Sequence, residues 1–207
     1  DDTSAYHLFF ADGAGTPGTD ITFFDWPVAR ERRGTRSISR TGLRVAEDSL
    51  DFWAARLADL GVATGQITTQ DGRAGLDVED PEGQRLRLVA APQPVGEAWA
   101  KSPVPAPHQI RGLGPITISV PELAPTEAVL TQVMNMRKVR DYASPDGSGH
   151  IHVFQMGDGG AAAELHVAVQ PGLSIARQGA GAVHHVAFRV PDQPAIRDWT
   201  QHLNQMR

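Results

Sequence analysis

Ala182-Val183-His184-His185-Val186-Ala187-Phe188-Arg189-Val190 is the stretch around which this chain is organised. Its apolar residues read as a buried strand that opens with two adjacent histidines. Neighbouring side chains in a strand point to opposite faces, so the pattern predicts one imidazole inward and the other on the opposite side. Two readings stand side by side. One histidine is a metal ligand and the other a proton-handling neighbour, or both are hydrogen-bonded structural groups.

The end of this stretch recurs. Leu43-Arg44-Val45, Ile118-Ser119-Val120 and Phe188-Arg189-Val190 align at offsets of 75 and 70 residues. After the first, Leu50, Trp53 and Leu57 fall at helical spacing, with Ser49 as the expected N-cap and Gly61 as the stop. Strands follow at Arg73–Val78 and Gln84–Ala90, joined by the turn Asp80-Pro81-Glu82-Gly83. After the second come a helix over Pro125–Met134, with proline in its first turn, and strands at His150–Met156 and Ala161–Val169. After the third, Ile196, Trp199 and Leu203 share a helical face over Pro194–Met206. Each copy therefore reads βαβββ, provided one poorly marked strand is allowed, and a period this long is a module repeat. Upstream, Tyr6–Phe10 and Asp20–Trp26 form a hairpin around a Gly-rich turn. The phase makes that hairpin the tail of an earlier copy and leaves the last copy without closing strands. The expected fold is thus α+β, with tandem βαβββ modules in curved mixed sheets, truncated at both ends of a four-module protein. The Pro-rich run Ala91–His108, held down by Trp99, divides it into 1–100 and 101–207.

Composition narrows the function. With 207 residues, 41% hydrophobic and 21% charged, the chain can bury a sizeable core. A net charge of -5 and no basic stripe argue against nucleic acid. The densest basic run, Arg30 to Arg44, is broken by Glu31 and Gly34 and reads as a solvated connection. Cysteine is absent, so any metal must sit on histidine and carboxylate. No apolar run reaches membrane-spanning length and no signal-peptide pattern opens the chain, which fits a cytoplasmic enzyme.

Other polar residues carry weaker expectations. Glu164 and His166 lie two apart on one strand face, and a solvated pair is favoured over a two-ligand site. His150 and His152 share a face and read as exposed or rim residues. His108 and His202 are expected to be structural, and Phe23, Phe24 and Trp26 to pack in a core. Gly157–Gly160 is too loose for a phosphate loop and reads as a turn.

Taken in order, Ala5-Tyr6-His7-Leu8-Phe9-Phe10, Ile21-Thr22-Phe23-Phe24-Asp25-Trp26-Pro27, Leu50-Asp51-Phe52-Trp53, Glu79-Asp80-Pro81-Glu82-Gly83, Ile110-Arg111-Gly112-Leu113 and Val183–Val190 resemble the vicinal oxygen chelate superfamily. The resemblance is strongest to its four-module, hydroquinone-type ring-cleaving dioxygenases, and it covers nearly the whole chain. It implies a mononuclear Fe(II) centre of two histidines and a glutamate, with Mn(II) or another divalent metal as a substitute. His185 matches one ligand, and His184 matches the neighbouring histidine that meets substrate or oxygen. The other two ligands match no residue here, so residues 1–207 alone are expected to bind no stoichiometric Fe(II), to be inactive and to aggregate. Leu113-Gly114-Pro115-Ile116 lacks the histidine that some related dioxygenases carry there. The implied partners are a small aromatic substrate and O2, with no nucleic acid or membrane; a homo-oligomer is compatible. The alternatives on the same scaffold are a glyoxalase-type isomerase or lyase and a metal-free binding protein of the bleomycin-resistance kind.

Overall fold

The computed structural model describes residues 5–92 and 96–206; Pro94 of the Pro-rich run lies outside them. After a short hairpin, β1 (His7–Phe10) and β2 (Ile21–Phe24), the chain builds β3 (Ser37–Ala46), α1 (Leu50–Asp59), β4 (Thr64–Gln70), β5 (Arg73–Glu79) and β6 (Arg85–Ala91). It then repeats the unit as β7 (Leu113–Val120), α2 (Ala124–Ala128), β8 (Arg137–Ala143), β9 (His150–Gln155) and β10 (Glu164–Val169), and closes with α3 (Gln193–Gln205). Strands β3 to β10 make one eight-stranded sheet in the order β4-β5-β6-β3-β7-β10-β9-β8. Each unit has its fourth strand parallel to its first, β6 on β3 and β10 on β7, and the units join through an antiparallel β3–β7 seam. The strand order is the same in both, as the repeat requires.

Alternation assigns the faces. Leu43, Val45, Leu76 and Leu88 form one core with Leu50 of α1, against which Trp53 and Leu57 pack. Val120, Phe154, Leu165 and Val167 form the second with Leu130 and Met136. Leu130 lies in the π-helical turn Val129–Val133 that extends α2. The residues between these apolar positions face away from the helices: Arg40 and Arg44 on β3, Arg73 and Asp77 on β5, Arg87 on β6, Thr117 on β7, and Glu164 and His166 on β10. This second face is lined with charge. At the seam Gly42 has no substitute without movement, because a Cβ there would lie 2.6 Å from the Pro115 carbonyl oxygen.

The strands hardest to see in the sequence are the sheet's two edges, β4 and β8. Edge strands tolerate polar residues on both faces, and Thr64–Gln70 holds a single large apolar residue, Ile67.

Several expectations change. Residues 182–190 join no ladder; an isolated bridge from Val183 to Ile38 is their only pairing among the described residues. Alternating apolar residues favour extended chain, but a ladder also needs a neighbour to pair with along its length, and among the described residues only Ile38 bridges to this stretch. Ser49 caps no helix, and its hydroxyl instead contacts His108 Nδ1 at 2.9 Å. The ring of Trp99 is half exposed, and the run is held by Gln109, which accepts from Trp99 N at 2.7 Å and donates to the Val104 carbonyl at 2.8 Å. Arg44 is buried and donates to the Leu113 carbonyl at 2.7 Å, so the basic run is not uniformly solvated.

Candidate functional site

Two groups of polar residues qualify as sites. The first is the histidine pair. His184 and His185 are both exposed, and their Nδ1 atoms lie 3.0 Å apart. Strand alternation would have sent them to opposite faces; without a ladder the backbone is free to bring the rings together. The ring of His184 stands edge-on to Phe24 and Trp26, with centroids 6.1 and 5.9 Å away. Phe24 stacks on Trp26 at 4.3 Å and on His7 at 4.1 Å. Phe23 and Trp26 are more than a third exposed, so these aromatics form a shelf beside His184 rather than a closed core.

The second group lies on the charged face of the large sheet. Glu164 and His166 are buried, each 4% exposed, which overturns the solvated reading. Leu165 and Val167 occupy the helix-side core, so the residues between them must take the other face, and here that face is enclosed. Arg73 donates to both Glu164 oxygens, at 2.6 and 3.0 Å. Arg140 donates to Glu164 at 2.9 Å, and Gln155 does so at 2.7 Å. Arg140 also grips Asp71 with two donors, its Nε at 2.6 Å and one Nη nitrogen. His166 places Nε2 3.2 Å from Glu164 and Nδ1 2.9 Å from the Tyr142 hydroxyl. A carboxylate only accepts, so Nε2 carries hydrogen; with neutral imidazole, Tyr142 donates to Nδ1.

This network reports the shape of the sheet. Asp71 follows β4 at one edge, and Arg140 lies on β8 at the other. Across a flat sheet with strands about 4.8 Å apart they would be roughly 30 Å distant. Their contact shows that the sheet curls until its edges meet over the charged face, with Asp71 and Arg73 of one unit gripping Arg140 and Glu164 of the other. Burial pushes the Glu164 carboxyl up, but hydrogen bonds from His166, Arg73, Gln155 and Arg140 outweigh it and hold the group well below the usual carboxylate range. The hydrogen bond to Asp71 raises Arg140. Burial raises the Tyr142 phenol.

The remaining histidines divide as follows. His108 stacks on Phe52 at 4.3 Å, and His202 contacts the Val133 carbonyl at 2.9 Å; both are structural. His150 is exposed beside Asp141 at 3.4 Å. His152 is half-buried on the helix side, with its pKa lowered by burial and by Lys138. Asp71, Arg73, Arg140, Tyr142 and Gln155 were not visible as site residues in the sequence; the available signal was the strict alternation of Glu164 and His166 with buried Leu165 and Val167.

The profile described as the Glyoxalase/Bleomycin resistance protein/Dioxygenase superfamily matches residues 116–204. MhqA of Bacillus subtilis, which carries the name of a ring-cleaving dioxygenase, is 38% identical over 203 residues, covering 96% of this chain and 64% of that protein. The chain carries a domain of this superfamily. Chlorohydroquinone/hydroquinone 1,2-dioxygenase of Sphingobium indicum is 27% identical, covering 90% of this chain and 58% of that one. A crystal structure titled as a Bacillus subtilis dioxygenase superposes with a TM-score of 0.88 at 25% identity, over all of this chain and 64% of the other. Glyoxalase I from Zea mays shares the fold at a TM-score of 0.60 and 14% identity, over 87% of this chain and 60% of that one. The chain thus spans less than two thirds of the relatives it matches.

Superfamily dioxygenases use a divalent metal, which makes both groups worth testing as ligands. Asp71, Glu164 and His166 bring ligand-type atoms within 4.8 Å of one another. They do not fit a cation. Each of the four carboxylate oxygens already accepts from a guanidinium, His166 Nε2 is protonated toward Glu164, and arginine cannot lose its charge to admit a metal. The histidine pair does suit a ferrous ion chemically, because neutral imidazole is a ligand for iron. It supplies part of a donor set and no carboxylate.

Proposed function

We propose that the intact protein is a ring-cleaving dioxygenase that opens a hydroquinone- or catechol-like ring with O2 at a mononuclear Fe(II) centre. In this reading His185 is a metal ligand and His184 the adjoining catalytic histidine. The observation that carries the reading is the exposed His184–His185 contact beside the Phe24–Trp26 shelf, in a chain 38% identical to MhqA. The division into 1–100 and 101–207 belongs to the same reading, each part holding one complete βαβββ unit.

The bound iron would supply open positions for the ring oxygens and O2. The chain supplies orientation and proton handling. Two Nδ1 atoms 3.0 Å apart cannot both present lone pairs, so one donates to the other. With His185 donating, its Nε2 lone pair is left for a metal, and His184 has an Nε2–H for an oxygen atom of substrate or O2. The reverse tautomer would put the hydrogen on His185 Nε2 and remove it as a ligand, so the metal-binding arrangement is the one in which His185 Nδ1 donates. The stacked Phe24 and Trp26 offer an aromatic wall to a flat ring.

Oxygen uptake by the intact protein tests the reading, with hydroquinone and catechol as substrates. His185→Ala is expected to lose bound metal. His184→Ala should retain it and lose turnover by about 10²–10⁴-fold. No oxygen uptake with either substrate by the iron-loaded protein would overturn the dioxygenase assignment.

A further inference from the structure

The charged face holds a cavity that the ion-pair network does not fill. It has a volume of about 30 Å³, and its walls include Arg40, Arg73, Arg87, Thr117, Tyr142 and His166. A space of this size admits one water-sized or halide-sized occupant and no aromatic ring.

Charge decides between the two. Arg73 and Arg140 are balanced by Asp71 and Glu164. Arg40 and Arg87 share a single carboxylate, Asp77, at 3.3 and 2.8 Å. Four guanidiniums therefore meet three carboxylates, and one positive charge remains beside the cavity. Arg87 is 5% exposed, so bulk solvent screens this surplus poorly. Burial is the largest influence on Arg87 and lowers its pKa; Asp77 opposes it and Arg40 adds to it. Thr117, 6% exposed, lends a hydroxyl that makes no hydrogen bond to protein among the described residues. Gln70 and Asp71 also line the cavity. Asp71 is gripped by Arg140, and Tyr142 faces His166, which faces Glu164. That leaves the guanidinium N–H groups, the Gln70 amide and the Thr117 hydroxyl as the cavity's donors.

We propose that this cavity is a binding site for one halide-sized monoanion, chloride being the available ion, held by Arg40, Arg87 and Thr117 between the two βαβββ units. Such an ion would neutralise the surplus charge under the seam where β3 meets β7. Bound there, it stabilises the folded state by mass action, because the unfolded chain offers no such site.

Bromide is the direct probe. Crystals of the protein soaked in bromide should show one anomalous peak in contact with Arg40, Arg87 and Thr117. In solution the thermal midpoint should rise with sodium chloride relative to sodium gluconate at equal ionic strength. Arg40→Gln removes the surplus charge and Thr117→Val removes the hydroxyl at nearly constant shape; each should abolish that difference while the variant still unfolds cooperatively. A water in the cavity at saturating bromide would overturn the proposal. So would a chloride-specific stabilisation that survives both substitutions.

Discussion

The buried cluster around Glu164 and the exposed pair His184–His185 are opposites in chemical availability. The cluster has the residue types and the spacing of a metal site, but each of its carboxylate oxygens already accepts from a guanidinium, and the His166 Nδ1 lone pair faces the Tyr142 hydroxyl. The pair has one residue type and no carboxylate, yet its imidazoles stand open. Proximity of ligand-type atoms is thus a poor guide to function until each lone pair has been assigned. In this chain the better-formed cluster acts as a clamp across a curled sheet, and the proposal places the chemistry at the sparser pair.

The clamp can be broken most severely at its centre. Glu164→Ala leaves the half-buried Arg73 and Arg140 with Asp71 as their remaining counter-charge, and loss of at most about 3–5 kcal/mol of stability is expected in urea unfolding. Replacing Asp71, Arg73, Arg140 and Glu164 together by apolar residues of similar volume should cost far less, since no uncompensated charge remains. A cost equal to the single substitution would show that the network's value is not electrostatic.

Acid should loosen the clamp next. The folded-state pKa of Glu164 lies below its unfolded value of about 4.3. Its contribution is therefore fully present above that unfolded value and is lost as pH falls toward the folded one. The urea midpoint should stay level from pH 8 to pH 6 and drop below about pH 4, and Glu164→Gln should flatten part of that drop. The smallest effect is expected at Tyr142→Phe, which deletes one hydrogen bond to His166 and should cost about 0.5–1.5 kcal/mol by the same unfolding measurement.

Much of this architecture was legible in the sequence. Leu50, Trp53 and Leu57 marked α1, and the recurrence of Leu43-Arg44-Val45 as Ile118-Ser119-Val120 announced two units with one strand order. β4 and β8 were not, because edge strands need no apolar alternation. Residues 182–190 misled in the other direction: their alternation is real, but pairing depends on what lies alongside, and that is not local information. The clamp stayed hidden for the same reason. Glu164 and Arg73 are 91 residues apart and meet only because the sheet curls. His184 and His185 could be picked out because two adjacent imidazoles at an apolar stretch are conspicuous without any tertiary context.

Metal content separates the two regions most directly. The intact protein, loaded with Fe(II) and desalted, should hold its iron in the His166→Gln variant, where a member of the clamp is replaced by a side chain that keeps hydrogen bonding. It should lose that iron in His185→Ala. Iron retained by His185→Ala and lost from His166→Gln would contradict the account, because the buried cluster would then be the metal centre and the exposed pair a bystander.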